Sequence, residues 1–316
     1  WRHASGKFDA VFIYSPPITL GFVGWLMKRR GAGVLFNVQD IFPQNAIDIG
    51  ILRNPILIAF FRAIERFSYR HADVVTAHSV SNSEKLRSAH PEIAEKVVVL
   101  HNWIDVERFL TRRGKDYRKE FGVEGKFVAL FAGALGPSQG VHLLVSLAER
   151  VRDLGNLVFL VVGDGTEKEW AIGLARSRAL KNILFHPLIS QDDYPDLLAA
   201  SDAGIVCLIS SVRTPVVPGK ILGYMVASLP VVAFVNAESD VHHMVAEANC
   251  GMSCVSDNLD EMERIIRALC DNPKASEEFG RNGKRYAVER FSRDRIVLEI
   301  EGMFERIRRG GCSALT

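Results

Sequence analysis

The sequence predicts an α/β fold with parallel sheets, because short β-branched runs alternate with longer amphipathic stretches along the whole chain. Two of these runs, Phe127–Ala132 and Leu157–Val162, are apolar throughout. Continuous apolar strands are typical of parallel sheets that helices cover on both faces. The length of 316 residues is enough for two domains, each with its own buried core. We therefore predict two doubly wound α/β domains.

The individual elements follow from the same periodicities. Nine strands are predicted, at Val11–Tyr14, Val34–Val38, Val74–Thr76, Val97–Leu100, Phe127–Ala132, Leu157–Val162, Ile183–Phe185, Gly204–Cys207 and Val231–Phe234. Helices are predicted near residues 20–29, 55–70, 80–88, 140–153, 167–179, 194–200, 220–228, 240–248, 258–271 and 293–309. In the stretch 55–70, apolar residues recur at three- and four-residue steps, as one face of a helix requires.

The two halves of the chain differ in completeness. A charged, non-periodic stretch, Thr111–Val123, is interpreted as a linker into the second domain. The second half contains a strand, a glycine-rich turn and a helix at its start, as a doubly wound unit should. The first half opens almost directly on a strand and has no such turn, and the first residue is Trp1 rather than Met. We expect a fragment that lacks two or three βα units, about 60–90 residues.

Composition and charge exclude several classes of protein. With 48% apolar and 24% charged residues, the chain is an ordinary globular one. The longest apolar runs, Ile18–Met27 and Pro55–Phe61, are about half as long as a membrane-spanning helix. Residues 1–120 carry a net charge of +6 and residues 121–316 a net charge of −4, which suggests that the first half faces something anionic, although a solvated charged surface explains the asymmetry equally well. Nucleic acid is disfavoured because the basic residues are scattered and not interleaved with aromatic ones.

The cysteines indicate neither a disulfide framework nor a metal site. Cys207, Cys250, Cys254, Cys270 and Cys312 form no CxxC motif and no zinc-type spacing with histidine. We interpret them as small apolar residues in a reducing cytosol.

Glycine-rich and basic turns follow the strands of the second half, where ligands bind in open α/β sheets. Gly133, Gly136 and Gly140 lie between a strand and a helix, where backbone N–H groups can approach a phosphate. A tight turn that needs glycine only for its geometry explains them equally well. The Gly163–Gly165 turn allows the same two interpretations.

Two further turns carry candidate side chains. Arg213, Thr214 and Lys220 fall within eight positions ahead of a predicted helix and could cradle a diphosphate. In the first half, Asp40 comes directly after a buried strand, where active-site residues collect, although an Asx turn or a helix cap would explain it as well.

The motifs taken together resemble the group 1 family of retaining glycosyltransferases with the GT-B fold. The resemblance is carried, in chain order, by YSPPITLG, VQDIFPQNAIDIG, VVVLHNWIDVERF, FAGALGPSQG, VVGDG, ASDAGIVCL, RTPVVPGK and YMVASLPVVAF. HNWID and VQDIFPQ are specific to a bacterial surface-polysaccharide branch of the fucosamine-transferase kind, whereas GDG is generic.

The resemblance implies two Rossmann-like domains that face a cleft, the first of them incomplete here. Residues 1–112 would form a partial acceptor-binding domain, residues 113–290 the nucleotide-sugar-binding domain, and residues 291–316 a helix that crosses back to the first domain. The resemblance also implies that a sugar is transferred with its anomeric configuration retained, without a bound metal or cofactor. Donor-binding residues would be Gly133, Gly136, Gln139, Gly140, Arg213, Thr214 and Lys220. Asp40 would be the catalytic residue on the acceptor side.

The resemblance also implies the partners. The donor would be a nucleotide-sugar, UDP-linked, and the acceptor a saccharide on a polyprenyl diphosphate, in the synthesis of O-antigen, capsule or exopolysaccharide. The enzyme would be peripheral, on the anionic inner face of the cytoplasmic membrane, which fits the basic first half.

One departure from the family pattern favours an alternative. Gly223 stands where a glutamate that binds the donor ribose is expected. A non-catalytic relative, such as a fragment or a partner subunit, is therefore the second hypothesis. A dinucleotide-dependent oxidoreductase lacks the GxGxxG-plus-acid spacing. A sugar-nucleotide epimerase needs more carboxylates and histidines after strands than this chain shows.

Overall fold

The computed structural model describes residues 8–309, and these residues form two compact units. The first unit comprises the described part of residues 1–102, residues 213–217 and the described part of residues 294–316. The second unit comprises residues 103–212 and 218–293. The domain boundaries predicted from the sequence, at 112/113 and 290/291, stay a prediction. Cys312 lies outside the described residues.

The first unit is a four-stranded parallel sheet flanked by helices, with strand order β1-β2-β3-β4. Its strands are β1 (Ala10–Ser15), β2 (Gly33–Val38), β3 (Val74–Ala77) and β4 (Val97–Val99). Its helices are α1 (Gly21–Lys28), α2 (Gln44–Asp48), α3 (Pro55–His71) and α4 (Val80–Ala89), and most of α14 (Arg293–Arg308) also belongs to it. Asn54 caps α3, because its side chain accepts hydrogen bonds from the N–H groups of Ile56 and Leu57.

The second unit is a six-stranded parallel sheet with strand order β10-β9-β8-β5-β6-β7. Its strands are β5 (Phe127–Ala134), β6 (Leu157–Asp164), β7 (Ile183–His186), β8 (Ala203–Cys207), β9 (Val231–Val235) and β10 (Gly251–Val255). Its helices are α5 (Val106–Leu110), α6 (Tyr117–Glu120), α7 (Val141–Arg150), α8 (Lys168–Ser177), α9 (Tyr194–Ala199), α10 (Lys220–Val226), α11 (Asp240–Ala248), α12 (Leu259–Asp271) and α13 (Pro273–Phe291). The prediction of an α/β fold with parallel sheets is confirmed.

The structure adds three short helices that periodicity did not predict, α2, α5 and α6, and two elements that depend on distant partners, β10 and α13. Strand β10 has the short sequence GMSCV, and pairing along the whole of β9 is what makes it a strand. Helix α13 contains glycines that allow close packing: a side chain at Gly280 would place its Cβ 2.0 Å from the carbonyl oxygen of Ser228. Both elements depend on partners far away in the sequence, which a local pattern does not reveal.

The interpretation of residues 111–123 as a linker is wrong. This segment is anchored to the second unit through the carboxylate of Asp196, which is fully buried and accepts hydrogen bonds from Arg112 Nε at 3.0 Å and from the N–H groups of Arg113 and Lys115. Tyr117 is also buried. The charges that suggested a solvated linker are the partners of acidic residues from another part of the chain.

Across the described chain, no helix has both the length and the apolar character needed to cross a membrane.

Candidate functional site

The carboxyl edge of the six-stranded sheet carries a cavity of about 220 Å³. Strands β5 and β6 end there, and the segment after β7 forms the opposite wall. The lining residues are Ala132, Gly133, Val162, Leu188, Ile189, Ser190, Gln191, Tyr194, Leu197 and Lys220. This is the edge at which parallel α/β sheets bind their ligands.

Lys220 is the cationic group of this cavity. Its amine lies 3.0 Å from Gln139 Oε1, to which it donates a hydrogen bond, and 3.5 Å above the centre of the Phe131 ring. Burial lowers the pKa of Lys220 to about 7, since an apolar surrounding disfavours the charged amine. Among the described residues no carboxylate forms an ion pair with this amine, and an anionic ligand would supply such a partner.

Helix α10 is locked in place behind Lys220. The Tyr224 hydroxyl accepts a hydrogen bond from the N–H of Ala132 at 3.0 Å, which ties the helix to β5. Gly204 in β8 makes room for that tyrosine, because a Cβ there would lie 2.2 Å from its ring. The position of Lys220 thus follows from packing inside the sheet rather than from the turn alone.

The glycines of the turns fall into two groups. Gly133 and Gly136 are open: a Cβ at Gly133 would meet only the end of Lys220, at 3.6 Å, and at Gly136 nothing lies within 4 Å. Gly163 and Gly140 are enclosed, since a Cβ would lie 1.8 Å from the Gly133 carbonyl oxygen in the first case and 2.8 Å from Cys207 Sγ in the second. Open glycines leave the backbone accessible to a ligand, whereas the enclosed ones serve the packing of the turn.

Gly140 also begins helix α7 with a left-handed conformation, φ 58°. Among the described residues no side chain caps this helix, so the N–H groups of its first turn have no side-chain acceptor from a capping residue. Such a helix start favours an anion.

Arg213 and Thr214 are grouped with the first unit, whereas the other five predicted donor-binding residues lie in the second. The segment 213–217 is held by α4: Lys85 Nζ donates a hydrogen bond to the Arg213 carbonyl at 2.6 Å, and Asn82 donates one to the Pro215 carbonyl. The Thr214 hydroxyl is buried and has no hydrogen-bond partner among the described residues. The structure brings Gly133, Gln139 and Lys220 together.

Asp40 lies at the carboxyl end of β2, in the first unit, and is half-buried. Burial raises the pKa of its carboxyl group, and the nearby Asp40 charge together with burial raises the pKa of the Tyr14 hydroxyl. The adjacent helix α2 has Pro43 as its N-cap and no side-chain cap. Asp40 therefore does not cap this helix.

Buried polar side chains continue from Asp40 across the same sheet. Asn37 and Thr76 occupy paired positions on β2 and β3, and both are fully buried. Within residues 8–309, Asn37 Nδ2 and Thr76 Oγ1 have no hydrogen-bond partner. A buried polar atom without a partner is costly, so this part of the sheet is suited to bind polar ligand groups or water.

Sequence reasoning missed Tyr194, which lines the 220 Å³ cavity from α9. Gly223 faces it: a Cβ at Gly223 would lie 3.3 Å from Tyr194 Cε1 and 3.4 Å from its hydroxyl oxygen. The aromatic ring thus borders the space in which a side chain at position 223 would begin. The rule that ligands bind after the carboxyl ends of strands, applied to β7 as to the other strands, would have pointed to this residue.

His242 and three cysteines of the second unit are held by packing and hydrogen bonds within that unit. His242 bonds to Ser253 Oγ at 2.9 Å and to the Asn236 carbonyl at 3.2 Å. Cys207, Cys250 and Cys254 are buried free thiols, and burial raises the pKa of each to about 12. In the described part of the chain, no three histidine, cysteine or acidic side chains are grouped as metal ligands would be.

Comparison with known families identifies the chain. Residues 114–286 match the profile of the glycosyl transferases group 1, and residues 1–103 match the profile of the glycosyl transferase 4-like domain. The chain belongs to the group 1 glycosyl transferases. The first match contains the cavity, Lys220 and all the open and enclosed glycines described above.

Individual relatives share about a quarter of the aligned residues with this chain. It is 28% identical over 204 residues to WcaI of Escherichia coli, which bears the name of a colanic acid biosynthesis glycosyl transferase, with 62% of this chain and 49% of WcaI covered. It is 24% identical over 239 residues to the Pseudomonas aeruginosa glycosyltransferase WbjE, with 74% and 59% covered. The chain spans about half the length of the curated relatives it matches.

The fold is shared with solved glycosyltransferase structures. The Anabaena protein Alr3699/HepE, whose crystal structure contains UDP, aligns with a TM-score of 0.77 at 18% identity and covers 96% of this chain and 80% of its own. The predicted GT-B fold, with parallel sheets in two Rossmann-like domains, is confirmed. At this identity the likeness concerns the fold, and the predicted site residues stay predictions.

Proposed function

We propose that this chain transfers a sugar from a UDP-linked donor to a lipid-linked saccharide, with retention, in the synthesis of a bacterial surface polysaccharide. The observation that carries the proposal is the buried Lys220 amine beside Gln139 and the open glycines of the β5–α7 turn. The name of WcaI, which refers to colanic acid, and the UDP in the HepE structure favour the same class of reaction. The motifs HNWID and VQDIFPQ favour the fucosamine-transferase branch.

The donor diphosphate is proposed to bind at the β5–α7 turn. Gly133 and Gly136 let the phosphates approach the backbone, and the first turn of α7 favours their negative charge. The Lys220 amine then gains an anionic partner, which no carboxylate of the described residues provides. Departure of the nucleoside diphosphate leaves more negative charge on the phosphates than the bound donor carries, so the same groups stabilise the transition state and act without a metal ion.

The acceptor side is proposed to include Asp40. Burial raises the pKa of its carboxyl group, which makes the carboxylate a better proton acceptor for an attacking hydroxyl. Arg213 and Thr214 are proposed to contact the donor, as the family resemblance predicts, and the buried Thr214 hydroxyl has its hydrogen-bonding capacity unused among the described residues.

The membrane surface is proposed to contact the N-terminal half of α3. Ile56 is 77% exposed, Phe60 is 56% exposed, and Ile51 just ahead of the helix is 68% exposed. Exposed apolar side chains next to arginines on one helix are suited to an anionic membrane interface. The protein would then work as a peripheral protein on the inner face of the cytoplasmic membrane.

The donor assignment is tested by titrating the full chain with UDP in a calorimeter, without added metal. We expect saturable binding that Lys220→Met weakens and that Arg281→Ala, an exposed change on α13, leaves unaltered. No measurable UDP binding by a folded chain would reject the donor site. That result would support the alternative of a non-catalytic relative, which Gly223 favours.

The membrane assignment has its own test. Wild-type protein should co-sediment with vesicles of phosphatidylcholine and phosphatidylglycerol, and Ile56→Ser combined with Phe60→Ser should reduce the bound fraction several-fold. Because both side chains are exposed, these changes should leave thermal unfolding unaltered. Equal sedimentation of variant and wild type would reject α3 as the contact.

A further inference from the structure

The first unit contains a cavity of about 540 Å³. Of the residues proposed above to bind the donor or the acceptor, Arg213 lines this cavity and the others do not. Its walls come from α2, α3, α4 and the segment that follows α4. Three arginines of α3 border it: Arg62, Arg66 and Arg70. Residues four apart lie above one another on a helix, so these arginines form a single row. Lys85 of α4 and Arg213 add two more basic groups.

The acidic groups of this cavity do not balance its basic ones. Glu65 lies 3.4 Å from His90 Nε2, and Glu92 lies 3.7 Å from Arg70 Nε, so two of the three acids already have partners. The third, Asp48, accepts a hydrogen bond from Gln44 at 2.7 Å.

The remaining cations of this cavity form no ion pair in the described part of the chain. Among the described residues, no carboxylate forms an ion pair with Arg62, Arg66 or Arg213, and Lys85 donates to a carbonyl group rather than to a carboxylate. A half-enclosed concavity with unpaired guanidinium groups is suited to bind phosphate, because the planar fork of arginine matches two phosphate oxygens.

The same helix joins this cavity to the exposed apolar residues. Ile56 and Phe60 precede the arginine row on α3, and Arg66 follows Ile56 by ten residues, or about 15 Å along the helix axis. A ligand with an isoprenoid chain on one side and phosphates on the other matches this order of apolar and basic side chains.

We propose that the 540 Å³ cavity binds the diphosphate of the polyprenyl-linked acceptor, with Arg62 and Arg66 as its principal ligands. The inference rests on the proposed function, since it names where the lipid-linked acceptor is held. The isoprenoid chain leaves the cavity toward the apolar half of α3, and the saccharide is on the other side of the phosphates. Arg213 is proposed above to bind the donor, so the variants that follow leave it unchanged.

The test uses the full chain, saturated with UDP so that the donor site is occupied, and geranyl diphosphate as a water-soluble probe in a calorimeter. Arg62→Ala combined with Arg66→Ala should weaken binding at least tenfold. The matched control is Arg281→Ala with Arg285→Ala, which removes two exposed arginines four residues apart on α13 and should change the affinity less than twofold. Both double variants should keep the wild-type affinity for UDP.

Further probes distinguish the sources of the phosphate. Inorganic pyrophosphate should bind more weakly than geranyl diphosphate and should lose affinity in the same double variant. If the double variant instead loses as much affinity for vesicles of phosphatidylglycerol that contain no polyprenyl diphosphate, the cavity binds ordinary phospholipid headgroups and the inference is overturned. Undiminished geranyl diphosphate binding by the double variant overturns it as well.

Failure of the inference and failure of the proposed function give different results. A chain that binds UDP but whose double variant keeps its affinity for geranyl diphosphate retains the donor function and loses the acceptor cavity. A chain that binds geranyl diphosphate through Arg62 and Arg66 but binds no UDP loses the donor function and retains the cavity.

Discussion

Replacement of Lys220 by Met gives the sharpest test of the donor site, because one group should control both the strength and the pH dependence of binding. The amine is held 3.0 Å from Gln139 Oε1 and next to the open Gly133, with its pKa lowered to about 7 by burial. A hydrogen bond from a charged group contributes about 1.5–3 kcal/mol, which corresponds to a loss of about 10- to 150-fold in affinity at pH 6.

The sign of the pH dependence follows from linkage. A diphosphate binds the protonated amine and raises its pKa, so affinity is full below pH 7 and falls as the pH rises through the pKa of the free protein. Between pH 6 and pH 8 the wild-type dissociation constant should rise about tenfold. Cys207, which is near the amine, has a pKa of about 12 and does not titrate in this range.

The assay is calorimetric titration with the β-methyl ester of UDP, because this ester, unlike UDP, has no phosphate proton that titrates near neutral pH. Lys220→Met should bind weakly at both pH values and show little dependence on pH. His142, whose pKa is lowered by burial, is unchanged in the variant, so its contribution cancels in the comparison. A variant with the same pH slope as the wild type would refute the assignment of the titration to Lys220.

Three further predictions concern stability. Lys220→Met should stabilise the fold by up to a few kcal/mol near pH 6 and by less near pH 10. The reason is that the folded-state pKa of Lys220, near 7, lies below the usual value of 10.5, so the stability of the wild-type protein rises with pH between these two values. Equal gains at both pH values in thermal unfolding would contradict this. Gly163→Ala should destabilise by at least about 2 kcal/mol in urea unfolding, because its Cβ would lie 1.8 Å from the Gly133 carbonyl oxygen, whereas Gly173→Ala, in an open helical position, should be neutral or stabilising by up to about 1 kcal/mol. Asp196→Ala should destabilise the fold by about 2–4 kcal/mol, because three hydrogen-bond donors of residues 112–115 lose a buried acceptor. The control Asp192→Ala, at an exposed carboxylate, should change the stability by less than about 1 kcal/mol. Similar losses in the two variants would show that the burial of Asp196 is unimportant.

Much of the fold was predictable because its signals are local. Apolar runs such as those of β5 and β6 are long enough to identify buried parallel strands, and the helical spacing in α3 identifies a helix without any tertiary information. The short edge strand β10 and the glycine-containing helix α13 could not be found in this way, since their partners, β9 and the Ser228 turn, are distant in the sequence.

The candidate site was predictable in part. The rule that ligands bind after the strands located Gly133, Gln139 and Lys220, and the structure brings these residues together. The same rule did not separate open from enclosed glycines, because Gly133 and Gly163 look alike in sequence. A Cβ at Gly133 would meet the Lys220 side chain at 3.6 Å, whereas a Cβ at Gly163 would lie 1.8 Å from the Gly133 carbonyl oxygen. Tyr194 was missed because the rule was not applied to the segment that follows the short strand β7, at whose end α9 begins with this residue.

The sequence by itself determined the family, the α/β class and the turns at which a phosphate could be bound, because periodicity and ordered motifs are properties of neighbouring residues. The tertiary structure alone decided which charged side chains form ion pairs in the described chain and which do not. The guanidinium groups of Arg112 and Arg113 look like solvated linker charges, yet they are paired with Asp196 and Asp192 respectively. Arg62 and Arg66 look like an ordinary helix surface, yet they border a cavity and form no ion pair with a carboxylate in the described chain. The physical reason is that the state of a charge depends on the distance to groups that folding brings together, some more than eighty residues away.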